Sequence, residues 1–322
     1  MMKTVKERTR DALLAAKGRF LSGGELARQI GVSRSAVWKA VKALSADGYE
    51  IRSVTGRGYC LTAGDVLSPE GIARLLQTAG WMIETYDTVD STNRVVKDLA
   101  ERGAPEGAVV VAKQQTAGRG RRGRSFVSPP DTGLYMSLLL RPDAAAEDAL
   151  FITTAAAVAV CRAIERVSGE AAQIKWVNDV FCRGKKVCGI LTEASLSAES
   201  GRLDYAVLGI GVNLHEPPGG FPPAVAAVAG SVLPAGESGD RCVLAAAILD
   251  EFSPLYAALS ERTFLEEYRA RSLLRGRAVT VCLPSGDRAA TAIGVDERCR
   301  LLVRFDGGEE QTLSSGDVSI KL

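Results

Sequence analysis

From residue 66 to about residue 269, the sequence alternates runs typical of strands with runs typical of helices. Strand-like runs are expected over residues 107–112, 133–141, 172–177, 187–194 and 205–212. Helix-like runs are expected over residues 91–102, 149–167 and 241–259. Such alternation predicts an α/β domain, with predicted bounds 66–270. The chain has 322 residues, 46% of them hydrophobic, which leaves room for further domains with their own cores.

The segment before this domain, residues 1–65, predicts a winged helix-turn-helix. Helices are expected over residues 5–17, 24–30 and 34–47, followed by a two-stranded hairpin over residues 49–61. Gly31 supplies a sharp turn before the third helix, and Ser33 can cap that helix. The expected buried side of the third helix consists of Ala36, Val37, Ala40, Val41 and Leu44.

Positive charge is concentrated in this first segment. Residues 1–66 contain 12 Lys or Arg and 6 Asp or Glu, whereas the whole chain contains 40 and 38. A cationic helix-turn-helix favours contact with DNA. The residues expected to contact DNA are Ser33, Arg34, Ser35, Lys39, Lys42 and Arg57. The alternatives are a three-helix bundle with solvated charges and a winged helix used for protein contacts, and Trp38 is expected to pack rather than stack on a base.

Residues 118–124, which we name the arginine-glycine loop, contain three glycines and four arginines. No acidic residue occurs between Gly107 and Pro130, so the arginines would repel one another unless an anion lay among them. Glycines disfavour a helix and let the backbone approach a ligand. Each guanidinium group can bind two phosphate oxygens at once through parallel N–H bonds. The loop therefore predicts a triphosphate site. For the loop taken alone, a nucleic-acid contact of the RGG kind is the alternative.

Shorter motifs accompany the loop. Residues 90–93 read Asp-Ser-Thr-Asn at the start of a helical run, where the hydroxyls can cap the helix or free N–H groups can bind a polar ligand. Residues 175–179 read Lys-Trp-Val-Asn-Asp at a strand end, with Asp179 a candidate Mg²⁺ ligand and Lys175 otherwise a surface charge. Residues 185–193 predict a turn into a buried strand, and residues 209–213 end another strand with two glycines that permit close approach of a ligand.

The chain has seven cysteines and a single histidine, His215. No two cysteines form a CxxC pair, so a disulfide framework and a zinc site are disfavoured. A single histidine also argues against a catalytic triad and against histidine-based acid–base catalysis, which leaves arginine, lysine, carboxylates, amides and the backbone to carry the chemistry. No apolar stretch reaches the length of a membrane helix, so a cytoplasmic protein with no membrane association is expected.

In chain order, these motifs resemble the catalytic domain of the biotin protein ligases. The resemblance rests on residues 90–93, 118–124, 175–179, 189–193 and 209–213. Residues 21–27, 31–39 and 56–59 are similar to the winged helix of the bifunctional members, which are also biotin operon repressors. The end of the chain, predicted as a domain of residues 271–322, looks like the family's small SH3-like β-barrel. For the residues between the winged helix and this barrel, the resemblance implies a mixed α/β ligase domain related to class II synthetases and lipoate ligases.

The resemblance implies an ATP-dependent biotin–[biotin carboxyl-carrier protein] ligase that uses ATP, biotin and Mg²⁺. Biotin's carboxylate would attack the α-phosphate to give biotinyl-5′-AMP and pyrophosphate. A lysine of the biotin carboxyl carrier protein of acetyl-CoA carboxylase would then accept the biotinyl group. The resemblance also implies repression of the biotin operon with biotinyl-AMP as corepressor, through operator DNA and a homodimer.

Positions that match the family's motifs carry implied roles. The resemblance implies that biotin or biotinyl-AMP contacts Ser91, Thr92, Asn93, Gln115, Arg119, Gly120, Arg121 and Lys175, with Arg121 and Lys175 catalytic. The adenylate and phosphates would contact Gly118, Arg122, Gly123, Arg124, Asn178, Asp179, Gly189 and Asn213. The sequence departs from the family in three places. Val177 stands where proline is usual, Phe126 stands where tryptophan is common, and residues 296–301 lack the glycine often found before the leucine. Residues 215–234 fall where the family covers the adenine.

Two other functions remain open on these motifs. The α/β domain could sense a ligand for a transcription regulator that has no ligase activity. It could instead activate lipoate or octanoate, although the complete arginine-glycine loop and the run at residues 175–179 favour biotin.

Overall fold

A computed structural model describes residues 4–16, 19–46, 49–63, 67–197, 199, 201–235, 240–283, 286–314 and 317–319. The chain forms two compact units that divide after Leu67. The predicted domain boundary at residues 65 and 66, and the predicted helix ends at residues 17 and 47, lie outside the described residues. Within the described ranges, no helix combines the length and the apolar character needed to span a bilayer.

The first unit has the order of elements expected for a winged helix-turn-helix. It contains α1 (Val5–Ala15), α2 (Gly23–Ile30), α3 (Arg34–Ala46) and the antiparallel strands β1 (Glu50–Val54) and β2 (Gly58–Ala63). A capping box starts α2, since the Ser22 hydroxyl accepts from Glu25 N at 3.1 Å and the Glu25 carboxylate accepts from Ser22 N at 2.7 Å. Gly31 ends α2 in the left-handed region, at φ 66°, which glycine adopts without steric cost.

One side of α3 packs into the hydrophobic core of this unit. Val37, Ala40, Val41 and Leu44 are buried as predicted, while Ala36 is half-buried. They recur at helical spacing, so a single stripe of the helix faces the other elements. The opposite side of α3 is exposed, and the prediction of a winged helix-turn-helix is confirmed.

A seven-stranded mixed sheet forms the centre of the second unit. Its strands are β3 (Met82–Val89), β4 (Ala108–Gln115), β5 (Gly133–Leu140), β6 (Ala172–Lys175), β7 (Asp179–Cys182), β8 (Lys185–Leu196) and β9 (Leu203–Asn213). They lie in the order β3-β4-β5-β9-β8-β7-β6, with β3 and β4 parallel and all other neighbours antiparallel. The five predicted strands correspond to β4, β5, β6, β8 and β9, whereas β3 and β7 were not predicted.

Helices cover this sheet. They are α4 (Pro69–Leu75), α5 (Thr92–Glu101), α6 (Ala149–Ser168), α7 (Pro223–Ala226), α8 (Arg241–Ala257) and α9 (Leu265–Ala270). A continuous buried run from Phe151 to Cys161 lies on α6, because this helix is apolar on all sides and packs between α8 and the strands. The predicted helices correspond to α5, α6 and α8.

The last part of the chain folds as a five-stranded antiparallel sheet. Its strands are β10 (Ala278–Leu283), β11 (Gly286–Val295), β12 (Leu301–Phe305), β13 (Glu310–Leu313) and β14 (Asp317–Ser319), in the order β13-β12-β11-β10-β14. Asp296 shapes the turn between β11 and β12, since its Oδ1 accepts from Arg298 N and Arg300 N, each at 2.9 Å. The predicted class, a mixed α/β body flanked by a winged helix and a small β domain, is confirmed.

Candidate functional site

A cavity of about 270 Å³ opens where α5 begins, beside β8 and β9 and beneath the arginine-glycine loop. Twelve predicted site residues line it: Ser91, Thr92, Asn93, Gln115, Arg119, Gly120, Arg121, Arg124, Asn178, Asp179, Gly189 and Asn213. The structure thus brings together motifs that lie more than 120 residues apart in the chain.

Ser91 and Thr92 begin α5, but their hydroxyls do not simply cap it. The Ser91 side chain makes no capping hydrogen bond, and a side chain from β4 accepts a hydrogen bond from the first turn of the helix instead. Gln115 Oε1 accepts from Thr92 N at 2.9 Å and lies 3.2 Å from Thr92 Oγ1. The Ser91 hydroxyl therefore lines the cavity without a capping role, which supports the ligand interpretation of this motif over the capping one.

Asn93 is fixed from three sides. Ser137, fully buried on β5 and not predicted as a site residue, places its Oγ 2.7 Å from both Thr92 Oγ1 and Asn93 Oδ1. Asn93 Nδ2 donates to Glu193 Oε2 at 2.8 Å. A Cβ at Gly209 would lie 2.0 Å from Asn93 Oδ1, so only glycine lets β9 approach this amide. The rotamer of Asn93 is therefore set before any ligand arrives.

The arginine-glycine loop is closed by its own backbone. Gly120 N donates to Arg124 O at 2.7 Å, and Phe126 N donates to Gly118 O at 2.9 Å. Residues Arg121–Gly123 form a short 3₁₀ turn in which Arg122 has φ 56°. Gly118, Arg122 and Gly123 shape this turn and are not among the residues that line the cavity, and their contact with the adenylate stays a prediction.

Two side-chain contacts anchor the loop across the cavity. Arg119 Nη1 lies 2.9 Å from Glu193 Oε1, and Arg121 Nη1 donates to Asn178 Oδ1 at 3.2 Å. Asn178 is itself tied to β8, because its Nδ2 donates to Ile190 O at 2.8 Å. The loop thus reaches both β8 and the turn between β6 and β7.

Phe126 lies against the glycines of the two central strands. A Cβ at Gly211 would be 2.6 Å from the Phe126 ring, and one at Gly189 would be 3.3 Å from it. The ring meets Tyr135 edge-on, with centroids 6.4 Å apart. Burial raises the pKa of Tyr135 to about 12, so its hydroxyl stays protonated and donates to Pro129 O at 2.9 Å. Phe126 therefore forms an apolar wall of the cavity. The sequence analysis had identified it only as a departure from the family's usual tryptophan.

Lys186, rather than Lys175, is the lysine of the cavity. Lys186 lines it and forms an ion pair with Asp179, with Nζ 2.6 Å from Oδ1. Lys175 is half-buried at the end of β6 and is not among the lining residues. The lysine pair at residues 185–186, directly before the predicted strand that contains the site residue Gly189, was the signal that could have found Lys186.

The turn between β6 and β7 is held by residues from the far end of the chain. Trp176 Nε1 donates to Cys299 O at 2.9 Å, and the Tyr268 hydroxyl donates to Val177 O at 3.0 Å. Burial raises the pKa of Tyr268 well above its ordinary value, which keeps this donor protonated. The turn with valine in place of proline is therefore anchored on both sides.

Residues 215–234, which we name the cover segment, close one side of the cavity with apolar side chains. The lining members are Phe221, Val225, Val228 and Ala229. Lys186 N donates to Val228 O at 2.8 Å, and Gly230 N donates to Lys186 O at 2.9 Å. Asn213 Nδ2 adds a bond of 3.1 Å to Gly230 O. The segment is thus attached to the strand that carries the cavity's lysine.

A cation in this cavity would find one carboxylate, that of Asp179. Across the described parts of the chain, no three His, Cys, Asp or Glu side chains come together as a metal site. A single carboxylate suits Mg²⁺ that arrives with nucleotide phosphates, which supply the remaining oxygens. The donor set therefore fits a metal carried by a substrate.

The exposed side of α3 is the candidate nucleic-acid interface. Ser33 caps the helix, since its Oγ accepts from Ala36 N at 3.2 Å. The predicted DNA-contacting residues Ser33, Arg34, Ser35, Lys39, Lys42 and Arg57 are all exposed. Trp38 on the same helix is 48% exposed, with Lys42 Nζ 4.4 Å from its ring, and the expectation that it packs rather than stacks on a base stays a prediction. On the hairpin, the Arg57 guanidinium lies 4.7 Å above the Phe20 ring.

Known proteins match each part of the chain. Residues 86–213 match the Biotin/lipoate A/B protein ligase family, residues 10–60 an HTH domain, and residues 275–321 the biotin protein ligase C-terminal domain. The Bifunctional ligase/repressor BirA of Bacillus subtilis is 34% identical over 325 residues, which covers 98% of both chains. The protein of the same name from Escherichia coli is 30% identical, with 91% of both chains covered.

A solved structure is similar to about three quarters of the chain. It is a biotin protein ligase from Aquifex aeolicus in complex with biotin and ATP, with a TM-score of 0.62 and 28% sequence identity. The match covers 74% of this chain and 97% of that chain.

Proposed function

The chain belongs to the biotin protein ligase family, among its bifunctional ligase/repressors, and from this premise we propose that it activates biotin with ATP and biotinylates a carrier protein. The observation that carries the proposal is the single cavity in which residues 91–93, the arginine-glycine loop and the 178–179 turn meet. This arrangement offers hydrogen bonds for a small polar ligand at one end and fixed cations at the other. Such a pairing suits an acyl-adenylate.

In the first step, a biotin carboxylate oxygen attacks the α-phosphorus of ATP. A new acyl–phosphate bond forms, and the bond to the β-phosphate oxygen breaks to release pyrophosphate. Arg119, Arg121 and Lys186 provide the positive charge that offsets charge developing on the phosphate oxygens. Mg²⁺ enters with ATP, and Asp179 is the carboxylate available to it.

In the second step, a lysine amine of the biotin carboxyl carrier protein attacks the acyl carbon, and AMP leaves. The ligase supplies no nucleophile of its own. Its arginine-glycine loop and cover segment exclude water from the mixed anhydride until the carrier lysine arrives. Lys175 was the lysine expected from the sequence, but its position outside the cavity lining favours Lys186 for the phosphate contact.

The first unit supplies the repressor activity. Cationic and hydroxyl side chains of α3 contact operator DNA in the major groove, and Arg57 on the hairpin contacts the backbone. Biotinyl-AMP acts as corepressor by favouring a homodimer, whose two α3 helices reach two half-sites. DNA binding that is insensitive both to salt and to the adenylate would contradict this role.

The ligase activity is tested by mass spectrometry of a purified carrier domain incubated with the enzyme, biotin and MgATP. We expect one lysine to gain one biotinyl group, together with stoichiometric pyrophosphate. Omission of ATP is the control, and it should leave the carrier unmodified. A protein that binds biotin but releases no pyrophosphate would be a ligand-sensing regulator instead.

Competition between acids separates biotin from the other substrate class. With biotin and lipoate or octanoate supplied together, the adenylate and the modified carrier should contain biotin alone. Transfer of lipoate or octanoate in preference would make the enzyme a lipoate-type ligase with the same two-step chemistry.

A further inference from the structure

The Glu193 carboxylate on β8 contacts both the 91–93 motif and the arginine-glycine loop. Its Oε2 accepts from Asn93 Nδ2 at 2.8 Å. Arg119 Nη1 lies 2.9 Å from its Oε1 and donates to its Oε2 at 3.2 Å, so Asn93 and Arg119 share this carboxylate. Glu193 does not itself line the cavity, so it acts on ligand through these two neighbours.

The arginine-glycine loop contains no acid, which makes an external carboxylate important to its geometry. Four arginines repel one another, and a carboxylate on a rigid strand selects one position for the nearest of them. Both contacts of Glu193 with Arg119 are made by Nη1. The Nε and Nη2 edge of the guanidinium is therefore left for an anionic ligand.

Without Glu193, immobilising the Arg119 side chain on a ligand would cost considerable conformational entropy. Its side chain is 53% exposed, and an arginine loses much rotamer freedom when a ligand immobilises it. Glu193 is 32% exposed and sits in the middle of the β8–β9 pairing, opposite Val207, so its own position is well defined. Holding Arg119 before the ligand arrives reduces the entropy lost on binding.

From this juxtaposition we propose that Glu193 is a positioning residue that determines how long the acyl-adenylate is retained. Through the ion pair it keeps Arg119 over the phosphate end of the cavity. Through the hydrogen bond it keeps Asn93 at the acid-binding end. The inference rests on the proposed ligase activity and assigns a role that neither the loop nor the 91–93 motif contains.

Two substitutions separate these two contacts. Glu193→Gln removes the charge that holds Arg119 but keeps an amide oxygen that can accept from Asn93. It should release biotinyl-AMP roughly 2- to 5-fold faster, as expected for a partly exposed ion pair, with KM for biotin nearly unchanged. Glu193→Ala removes both contacts and should also raise KM for biotin by roughly tenfold, because Asn93 loses a charged partner.

The measurements are the rate of adenylate loss from the enzyme without carrier, KM and kcat for biotin, and the melting temperature. Glu101→Gln is the matched control, since Glu101 lies on α5 in an exposed pair with Lys97 at 3.8 Å. The proposal is overturned if Glu193→Gln retains the adenylate as long as the wild type. It is also overturned if both variants show the same loss of retention together with a raised KM and a lowered melting temperature, because that pattern indicates a purely structural role.

Failure of the proposed function would look different. A wild-type enzyme that releases no pyrophosphate from biotin and MgATP would refute the ligase activity before any variant was compared. A wild-type enzyme that makes and retains the adenylate, beside a Glu193→Gln variant that does the same, would refute the positioning role alone.

Discussion

The arginine-glycine loop and the exposed side of α3 both present cations, but they hold them in different ways. In the loop, Arg119 and Arg121 contact Glu193 and Asn178, and their guanidinium groups border a cavity of about 270 Å³. On α3, Arg34 and Lys39 are exposed and form no ion pair with any residue that the structure describes, while Lys42 rests over Trp38.

This difference separates two kinds of anion. Cations fixed around a cavity meet one small ligand, because their positions are set by partners before it binds. Cations spread along one side of a helix meet a polymer whose phosphates repeat over a similar length. Composition alone does not distinguish them, since both regions are arginine- or lysine-rich and lack neighbouring acids in the sequence.

The largest expected effect distinguishes the two lysines near the cavity. Lys186→Ala should lower kcat for adenylate formation by roughly 100-fold, because it removes a fixed cation from the phosphate end and leaves Asp179 without its partner. Lys175→Ala, at the end of β6 and outside the lining, is the matched comparison and should lower kcat much less. Pyrophosphate release under saturating biotin measures both. The reverse order would restore Lys175 as the catalytic lysine.

The next effect concerns retention of the intermediate. Arg121→Gly removes the loop's contact with Asn178, and we expect release of biotinyl-AMP to rise roughly 10- to 100-fold, as for loss of a charged hydrogen bond. The escaped adenylate should then label lysines on bystander proteins, detected with streptavidin. Arg298→Gly, an exposed arginine in the turn between β11 and β12, serves as control. Selective labelling of one carrier lysine by the Arg121 variant would argue against a retaining loop.

A smaller effect tests the exposed lysines of α3. The double variant Lys39→Ala, Lys42→Ala should weaken DNA binding and reduce the slope of log affinity against log salt by about two, because each lysine neutralises about one phosphate. Fluorescence anisotropy with operator-length duplexes between low and physiological salt measures the slope. Alanine at Lys97 and Arg102, which are exposed in the second unit, should leave it unchanged. An unaltered slope in the α3 variant would place the DNA elsewhere.

The smallest effect comes from arginines whose partners serve stability alone. Hydrogen bonds from Arg271 lower the pKa of Glu165, with the pair 2.9 Å apart. For Glu267, burial raises the pKa but hydrogen bonds from Arg162 and Arg271 outweigh it and leave the pKa below its ordinary value. Below the ordinary glutamate pKa of 4.5, the unfolded chain binds more protons than the folded one. The free energy of unfolding is therefore highest above that pH and falls as the pH drops further.

Urea unfolding at pH 7 and at several values below 5 measures this decline. Glu165→Gln should make it shallower, because one linked proton is lost, while Glu101→Gln should leave its slope unchanged. A Glu165→Gln variant with the slope of the wild type would show that Arg271 does not stabilise the folded state through this carboxylate.

Periodicity predicted the elements that carry the site, and local motifs predicted most of its members. The buried side of α3 and the strands β4, β5, β8 and β9 follow from spacing alone, because burial imposes helical or alternating patterns. The 91–93 motif and the loop each allowed another interpretation alone, and they predicted a site only when taken with the other motifs in chain order. Lys175 was predicted because it belongs to the 175–179 motif, whereas residues 185–193 predicted only a turn into a buried strand, and the sequence does not tell which strand end faces the cavity.

Other features depend on tertiary approach and leave little local signal. Ser137 reads as one polar residue within an apolar strand, and only the fold shows its hydroxyl beneath Thr92 and Asn93. Trp38 has an amphipathic side chain that suits either core or surface, and its helical position decides between them. β3 alternates weakly and was not predicted, since it is an edge strand with half of its residues exposed.

The residues that anchor the turn between β6 and β7 limit how far this enzyme can be truncated. Trp176 and Val177 are bonded to Cys299 and Tyr268, both of which lie outside the segment 86–213 that matches the ligase family. A shortened enzyme that ended after β9 would keep every cavity-lining residue up to Asn213 and still lose both supports of the turn that presents Asn178 and Asp179. A graft of this active site onto another scaffold therefore has to carry both α9 and the terminal sheet with it.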